Sequence, residues 1–117
     1  MSAVVGTIKA GVCGFVTEVT ATSEDQQHVC LQVESTCDNI NGLSGALPPE
    51  LDAYAELGCG FDGQLWTTIR SCLKGCCSGC VVPAGLFKAM QIAAGLALPR
   101  AAGIEFEKPD PPHKGRG

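Results

Sequence analysis

Four of the eight cysteines lie within nine residues, from Cys72 to Cys80, directly ahead of a segment with helical periodicity. The chain has 117 residues, enough for one domain with a single modest core. Hydrophobic residues make up 45% of it and aromatic residues only 5%, so the core must rest on small aliphatic side chains. Such a core gains stability from a metal or from disulfides. The cysteines are therefore the feature that most constrains this fold.

The charge pattern and the apolar runs limit the possible partners. No Lys or Arg lies between Lys9 and Arg70, whereas nine carboxylates do. Nucleic-acid binding needs cations along the phosphate backbone, so we expect no nucleic-acid partner. No apolar run approaches the roughly 18–20 residues of a membrane span, so no membrane partner is expected either.

The N-terminus lacks the basic start and apolar block of a signal peptide, which predicts a cytoplasmic protein. In that reducing compartment, eight cysteines favour metal or redox chemistry over a disulfide framework.

The first third of the chain has the composition and alternation of β-strands. In its last strand-like run Val29, Leu31 and Val33 share one face. Three strands are predicted: Thr7–Gly11, Phe15–Thr22 and His28–Glu34.

Helix signals follow. Four helices are predicted: one beginning at Cys37 or Asp38, then Leu51–Leu57, Gly63–Leu73 and Pro83–Leu98. Ile104 and Phe106 then alternate with Glu105 and Glu107, which predicts a closing strand. The expected fold class is α+β: an antiparallel sheet with helices packed on one face, the C-terminal helix being followed by that strand. We expect residues 1–108 to form a single metal-binding domain and residues 109–117 a flexible tail.

Several cysteines lie where a thiolate is stabilised. Cys77 and Cys80 form a C-x-x-C motif just before the last helix, Cys37 lies at the start of the first helix, and Cys13 lies between glycines in a turn. Helix starts supply unpaired N–H groups and the positive end of the helix dipole. Thiolates gathered in one place repel each other unless a cation lies between them. A four-thiolate metal site is therefore predicted from Cys13, Cys37, Cys77 and Cys80, with Cys76 as the first alternative ligand.

The metal stays undecided between zinc and an iron–sulfur cluster, since both accept four thiolates. Cys59 and Cys72 lie near apolar helix positions and are predicted as buried core thiols, while Cys30 is open between the two roles. No catalytic residue is predicted, because His28 and His113 have no serine or cysteine partner nearby in sequence. A structural, carrier or electron-transfer role is expected, and whether the protein is an enzyme stays open.

Two other interpretations remain. Cys77-x-x-Cys80 ahead of a helix also suits a thiol–disulfide oxidoreductase, although the βαβ unit of a thioredoxin-like fold is not evident around it. A secreted domain with up to four disulfides is permitted by the even cysteine count and disfavoured by the adjacent pair Cys76-Cys77.

Three segments together resemble a known family: IKAGVCGF, STCDNI and CVVPAGLFKAMQIAAGLALP. It is a family of small cysteine-containing proteins of unknown function from anaerobic bacteria and archaea, and the resemblance covers Thr7 to Lys108. It implies that Cys13, Cys37 and Cys80 are the motif cysteines. Members of the family often have histidine at the position of Cys77, which implies a ligand there and favours zinc. The remaining cysteines depart from the family pattern, and the resemblance supplies no activity.

Overall fold

The computed structural model describes residues 1–109 and shows an α+β fold. Its sheet is antiparallel, with the strand order β1-β2-β3-β4. The strands are β1 (Ser2–Lys9), β2 (Val16–Ser23), β3 (His28–Ser35) and β4 (Leu51–Asp52). The helices are α1 (Asp38–Ala46), α2 (Ala53–Cys59), α3 (Gln64–Cys72) and α4 (Val82–Ala93), with 3₁₀ turns at Gly60–Asp62 and Gly75–Gly79.

The core lies on one face of the sheet, because alternate residues of a strand point to opposite faces. Helix α4 packs across β1, β2 and β3, and α1 packs on β3. The buried side chains include Val19 and Ala21 from β2 and Leu86 and Met90 from α4. On β3 the predicted face is confirmed, since Val29, Leu31 and Val33 are all buried.

Two glycines fix the direction of α4 over the sheet. A Cβ at Gly85 would lie 2.5 Å from Cδ1 of Ile8, so only glycine lets the start of α4 approach the end of β1 this closely. At the other end Gly95 has φ +76°, a left-handed conformation that ends helices, and it lies beside Gln26 in the β2–β3 turn. Helix α4 therefore begins near the β1–β2 turn and ends near the β2–β3 turn.

Several element boundaries differ from the sequence predictions. β1 starts at Ser2 rather than Thr7, because it pairs with β2 over its full length. The second helix starts two residues late, since Leu51 and Asp52 first pair with β3 and the Asp52 carboxylate then accepts the first N–H groups of α2. Helix α4 ends at Ala93 and not at Leu98 because of the left-handed glycine.

Two predictions concern the C-terminal part of the chain, the closing strand and the tail. The closing strand is not shown among residues 1–109, where residues 100–109 have no regular structure. The side chains of Ile104 and Phe106 are 66% and 92% exposed, and no strand within residues 1–109 packs against them. The predicted tail lies outside the described residues, apart from Pro109. Within residues 1–109, no helix combines the length and apolar character that crossing a membrane requires.

Candidate metal centre

Three chain segments that carry cysteines meet at one end of the sheet. The β1–β2 turn lies there, since Lys9 pairs with Val16 at the last position of that ladder. The end of β3 lies there too, because the Thr36 N–H donates to the Val16 carbonyl at 3.1 Å. The contact of Gly85 with Ile8 brings the start of α4 to the same place. Cys13, Cys37 and the Cys76–Cys80 segment, remote in sequence, thus belong to the same end of the molecule.

Asn39 links two of these segments directly. Its side-chain Nδ2 donates to the Cys77 Sγ at 3.7 Å. Asn39 lies in the first turn of α1, two residues after Cys37, the residue that precedes this helix. The contact therefore ties the start of α1 to the 3₁₀ turn that carries Cys77. Sequence analysis did not single out Asn39, because an amide gives no signal until its sulfur partner is known.

Cys80 accepts a backbone hydrogen bond, as a thiolate ligand at a helix start should. The Val82 N–H, the first of α4, points to the Cys80 Sγ at 3.5 Å. The Cys80 N–H in turn donates to the Cys77 carbonyl at 3.1 Å, which closes the turn between the two cysteines. Cys37 differs, since its sulfur caps no N–H of α1.

The environment of Cys77 differs from that of an activated thiol. Burial raises its pKa, and the nearby thiols of Cys76, Cys80 and Cys37 raise it further, against the opposing effect of the Asn39 hydrogen bond. A raised pKa keeps the isolated thiol protonated. The thiols of Cys76, Cys80 and Cys37 are therefore close enough to Cys77 to affect its ionisation.

The thiols differ in exposure. Cys37, Cys77 and Cys80 are half-buried and pack against the hydrophobic core, whereas Cys13 and Cys76 are exposed. Cys13 lies in the turn that Gly11 and Gly14 form with φ values of +90° and +74°. In the arrangement described for residues 1–109, no three Cys, His, Asp or Glu side chains stand in a group that could hold a metal ion.

The other three cysteines are Cys30, Cys59 and Cys72. Cys59, at the last position of α2, is exposed, so the prediction of a buried core thiol is wrong there; the residues that α2 buries are Ala53 and Glu56. Cys72 is half-buried against the core, which agrees with the prediction. Cys30 lies half-buried on the open face of β3.

A second polar cluster lies at the opposite end of the sheet. His28 Nδ1 lies 2.7 Å from Asp25 Oδ2, and His28 Nε2 lies 3.9 Å from Asp52 Oδ2. The hydrogen bond to Asp25 raises the pKa of His28, and the same bond lowers the pKa of Asp25. Asp25 also accepts the N–H groups of Gln27 and His28, so the cluster orders the β2–β3 turn.

Comparison with known proteins gives one match. The model of a protein family, described only as a family of unknown function, matches residues 4–106. No curated protein and no solved structure matches the chain.

Proposed function

The chain belongs to this family of unknown function, DUF6951, whose model matches residues 4–106, and we propose that it binds a metal through cysteine thiolates. Because the family's function is unknown, the support for this proposal comes from the residues of this chain. Cys37, Cys77 and Cys80 are three of the ligands. The observation that carries the proposal is the Asn39–Cys77 contact of 3.7 Å, because it joins the Cys37 and Cys77–Cys80 segments at one point. Thiolate metal sites are usually built from cysteines of segments that are remote in sequence. Here the three cysteines come from two such segments and are half-buried.

A metal would also resolve the electrostatics of the cluster. Burial and the neighbouring thiols raise the pKa of Cys77, so its ionisation needs a compensating charge, and a bound cation would supply that charge. Binding would require the cysteine side chains to rotate about χ1 towards one another, because no three of them form a ligating group in the arrangement described for residues 1–109. Asn39 and the Val82 N–H would then serve as hydrogen-bond donors to two ligand sulfurs, the part that surrounding groups play in metal sites.

The fourth ligand is Cys76 or Cys13. Cys76 is adjacent to Cys77 and contributes to its pKa shift, which favours it. Cys13 is held in a turn at the same end of the sheet, and the φ values of Gly11 and Gly14 define its backbone. Zinc suits a closed four-thiolate site of this kind, and an iron–sulfur cluster suits the same ligands. The role would be structural or that of a carrier with zinc, and electron transfer with a cluster, in a reducing cytoplasm.

The alternative function is thiol–disulfide exchange by Cys77 and Cys80. Their spacing and the turn between them permit it. Such an enzyme needs an attacking thiol whose pKa is low, however, and the pKa of Cys77 is raised. The geometry therefore favours metal binding.

The test is the metal content of protein purified without oxygen. We expect about one equivalent of zinc in a colourless protein, or iron in a brown one. Cys37→Ser, Cys77→Ser and Cys80→Ser should each lose most of the metal, and comparing Cys76→Ser with Cys13→Ser identifies the fourth ligand. Cys59→Ser is the matched control, because Cys59 is an exposed cysteine of α2 outside the site.

A different outcome would overturn the proposal. If no metal is found, none binds when zinc or iron is added, and Cys77 and Cys80 form a disulfide reversibly, the protein is an oxidoreductase. Circular dichroism of each variant separates loss of a ligand from loss of the fold. A metal bound equally well by all of the variants would mean that its ligands lie elsewhere.

A further inference from the structure

The segment Ile104–Glu107 has the pattern of a strand, but it pairs with no strand in the described part of the chain. Ile104 and Phe106 alternate with Glu105 and Glu107, and this period of two is typical of a strand with one apolar face. In the single chain both apolar side chains are exposed, Phe106 by 92%. The family model matches residues 4–106, so Ile104, Glu105 and Phe106 belong to the matched part of the chain.

Strand β1 offers the complementary feature. It is the outer strand of the sheet and eight residues long, and its outer N–H and C=O groups face away from β2. Edges of this kind usually carry charged residues that prevent pairing, whereas β1 has a single charged side chain, Lys9 at its end. On its helix-covered face Val4 and Ile8 are only partly buried, and on the open face Val5 is 61% exposed. One more strand paired with β1 would therefore cover apolar side chains that are now partly exposed at this edge.

We propose that the segment Ile104–Glu107 of one copy of this chain adds to the edge of β1 in a second copy, and that the exchange is reciprocal. Ile104 and Phe106 would extend the apolar layer beside Val4 and Ile8. Glu105 and Glu107 would then lie on the open face. The charge of Lys9 complements the acidic segment.

We take the partner to be a second copy because each chain carries both the segment Ile104–Glu107 and the outer edge of β1. Within residues 1–109 neither of these surfaces is covered. Reciprocal exchange about a two-fold axis covers both surfaces in both copies and ends the assembly at a dimer. Pairing through the main chain, with alternate side chains in contact, is a common way for an extended segment to bind a sheet edge. Two short segments bury less than the roughly 1,200 Å² that marks weaker complexes, so the dimer should dissociate at micromolar concentrations.

The inference does not depend on the metal site, which lies at the end of the sheet near the β1–β2 turn. It is tested by sedimentation velocity of the full chain with a reducing agent present, which excludes disulfide-linked dimers. As concentration rises, the mass should increase from 12.1 kDa to twice that value. Phe106→Asp should keep the protein monomeric, and Leu98→Asp, at a residue 69% exposed outside the segment, should leave the dimer intact.

A matched pair tests the strand edge. Val5→Glu places a carboxylate on the same face as Glu105 and Glu107 and should abolish the dimer. Val12→Glu makes the same change in the β1–β2 turn, where Val12 is fully exposed, and should leave the dimer intact. Circular dichroism spectra that match those of the unmodified protein would show that all four variants fold.

Three results would overturn the inference. A protein that stays monomeric at high concentration, with fast hydrogen exchange along β1, would mean that the edge stays unpaired. A monomer whose β1 amides exchange slowly, and quickly again in Phe106→Asp, would mean that the segment pairs within its own chain. A dimer unaffected by both Phe106→Asp and Val5→Glu would mean that another surface joins the copies.

Discussion

The buried carboxylate of Glu56 gives the sharpest test of what holds the helices in place. Glu56 is 4% exposed and lies in α2. Its Oε1 accepts the Leu65 N–H at 2.7 Å and its Oε2 accepts the Gln64 N–H at 3.0 Å. These are the first two N–H groups of α3, and Gly63 before them has no side chain to cap the helix. We therefore predict that Glu56→Ala destabilises the fold by uncapping α3.

The expected size follows from these two bonds. A hydrogen bond to a charged group contributes about 1.5–3 kcal/mol, so losing both costs roughly 3–6 kcal/mol. A domain of this length unfolds with a free energy of roughly 6–17 kcal/mol, at about 0.05–0.15 kcal/mol per residue. Glu56→Gln keeps one acceptor oxygen, so its free energy of unfolding should fall by about half as much as that of Glu56→Ala. Gly63→Ala should also destabilise, because its Cβ would lie 2.8 Å from the Glu56 Oε1.

Urea unfolding followed by the fluorescence of Trp66, which lies in α3, measures the change directly. The m-value should stay constant, since the unfolded chain exposes the same surface. Glu24→Ala is the control, because Glu24 is exposed in the β2–β3 turn and its loss should matter little. A loss below about 1 kcal/mol in Glu56→Ala would refute the reasoning, since it would mean that the two N–H groups find other partners at little cost.

Two further predictions concern α4 and the histidine cluster. Gly85→Ala should lower the free energy of unfolding in urea by about 1–3 kcal/mol, because the new methyl group overlaps Ile8. Gly42→Ala in α1, where the methyl group has open space, should raise that free energy by about 0.5–1 kcal/mol. Equal effects would contradict the close approach of α4 to β1. The pKa of His28, followed by NMR, should lie above its ordinary value of 6.5 and return towards it in Asp25→Asn. The stabilisation from this pair is therefore complete between the ordinary pKa values of Asp25, 3.8, and His28, 6.5. It is lost as the pH rises through the raised pKa of His28, and again as the pH falls through the lowered pKa of Asp25. An unshifted His28 titration would count against the His28–Asp25 bond.

The strand and helix pattern could be read from the sequence where local periodicity decides the structure. β3 and its buried face were predicted, as were the start of α1 after Cys37 and the turn before α4. For the metal site, the sequence alone indicated cysteines at turns and helix starts. The sequence did not indicate which of these cysteines lie close together, because that depends on strand register and on the direction of α4.

Local sequence sufficed to predict the alternation of β3, the starts of α1 and α4, and the acidic, cysteine-rich character of this chain, because each depends on neighbouring residues. The extent of β1, the end of α4, the burial of Glu56 and the donor to Cys77 became evident in the folded structure. These features arise between residues far apart in the chain: Ile8 against Gly85, Glu56 against Leu65, Asn39 against Cys77. The physical reason is that such contacts depend on how whole elements pack against one another, and no single stretch of sequence records that packing.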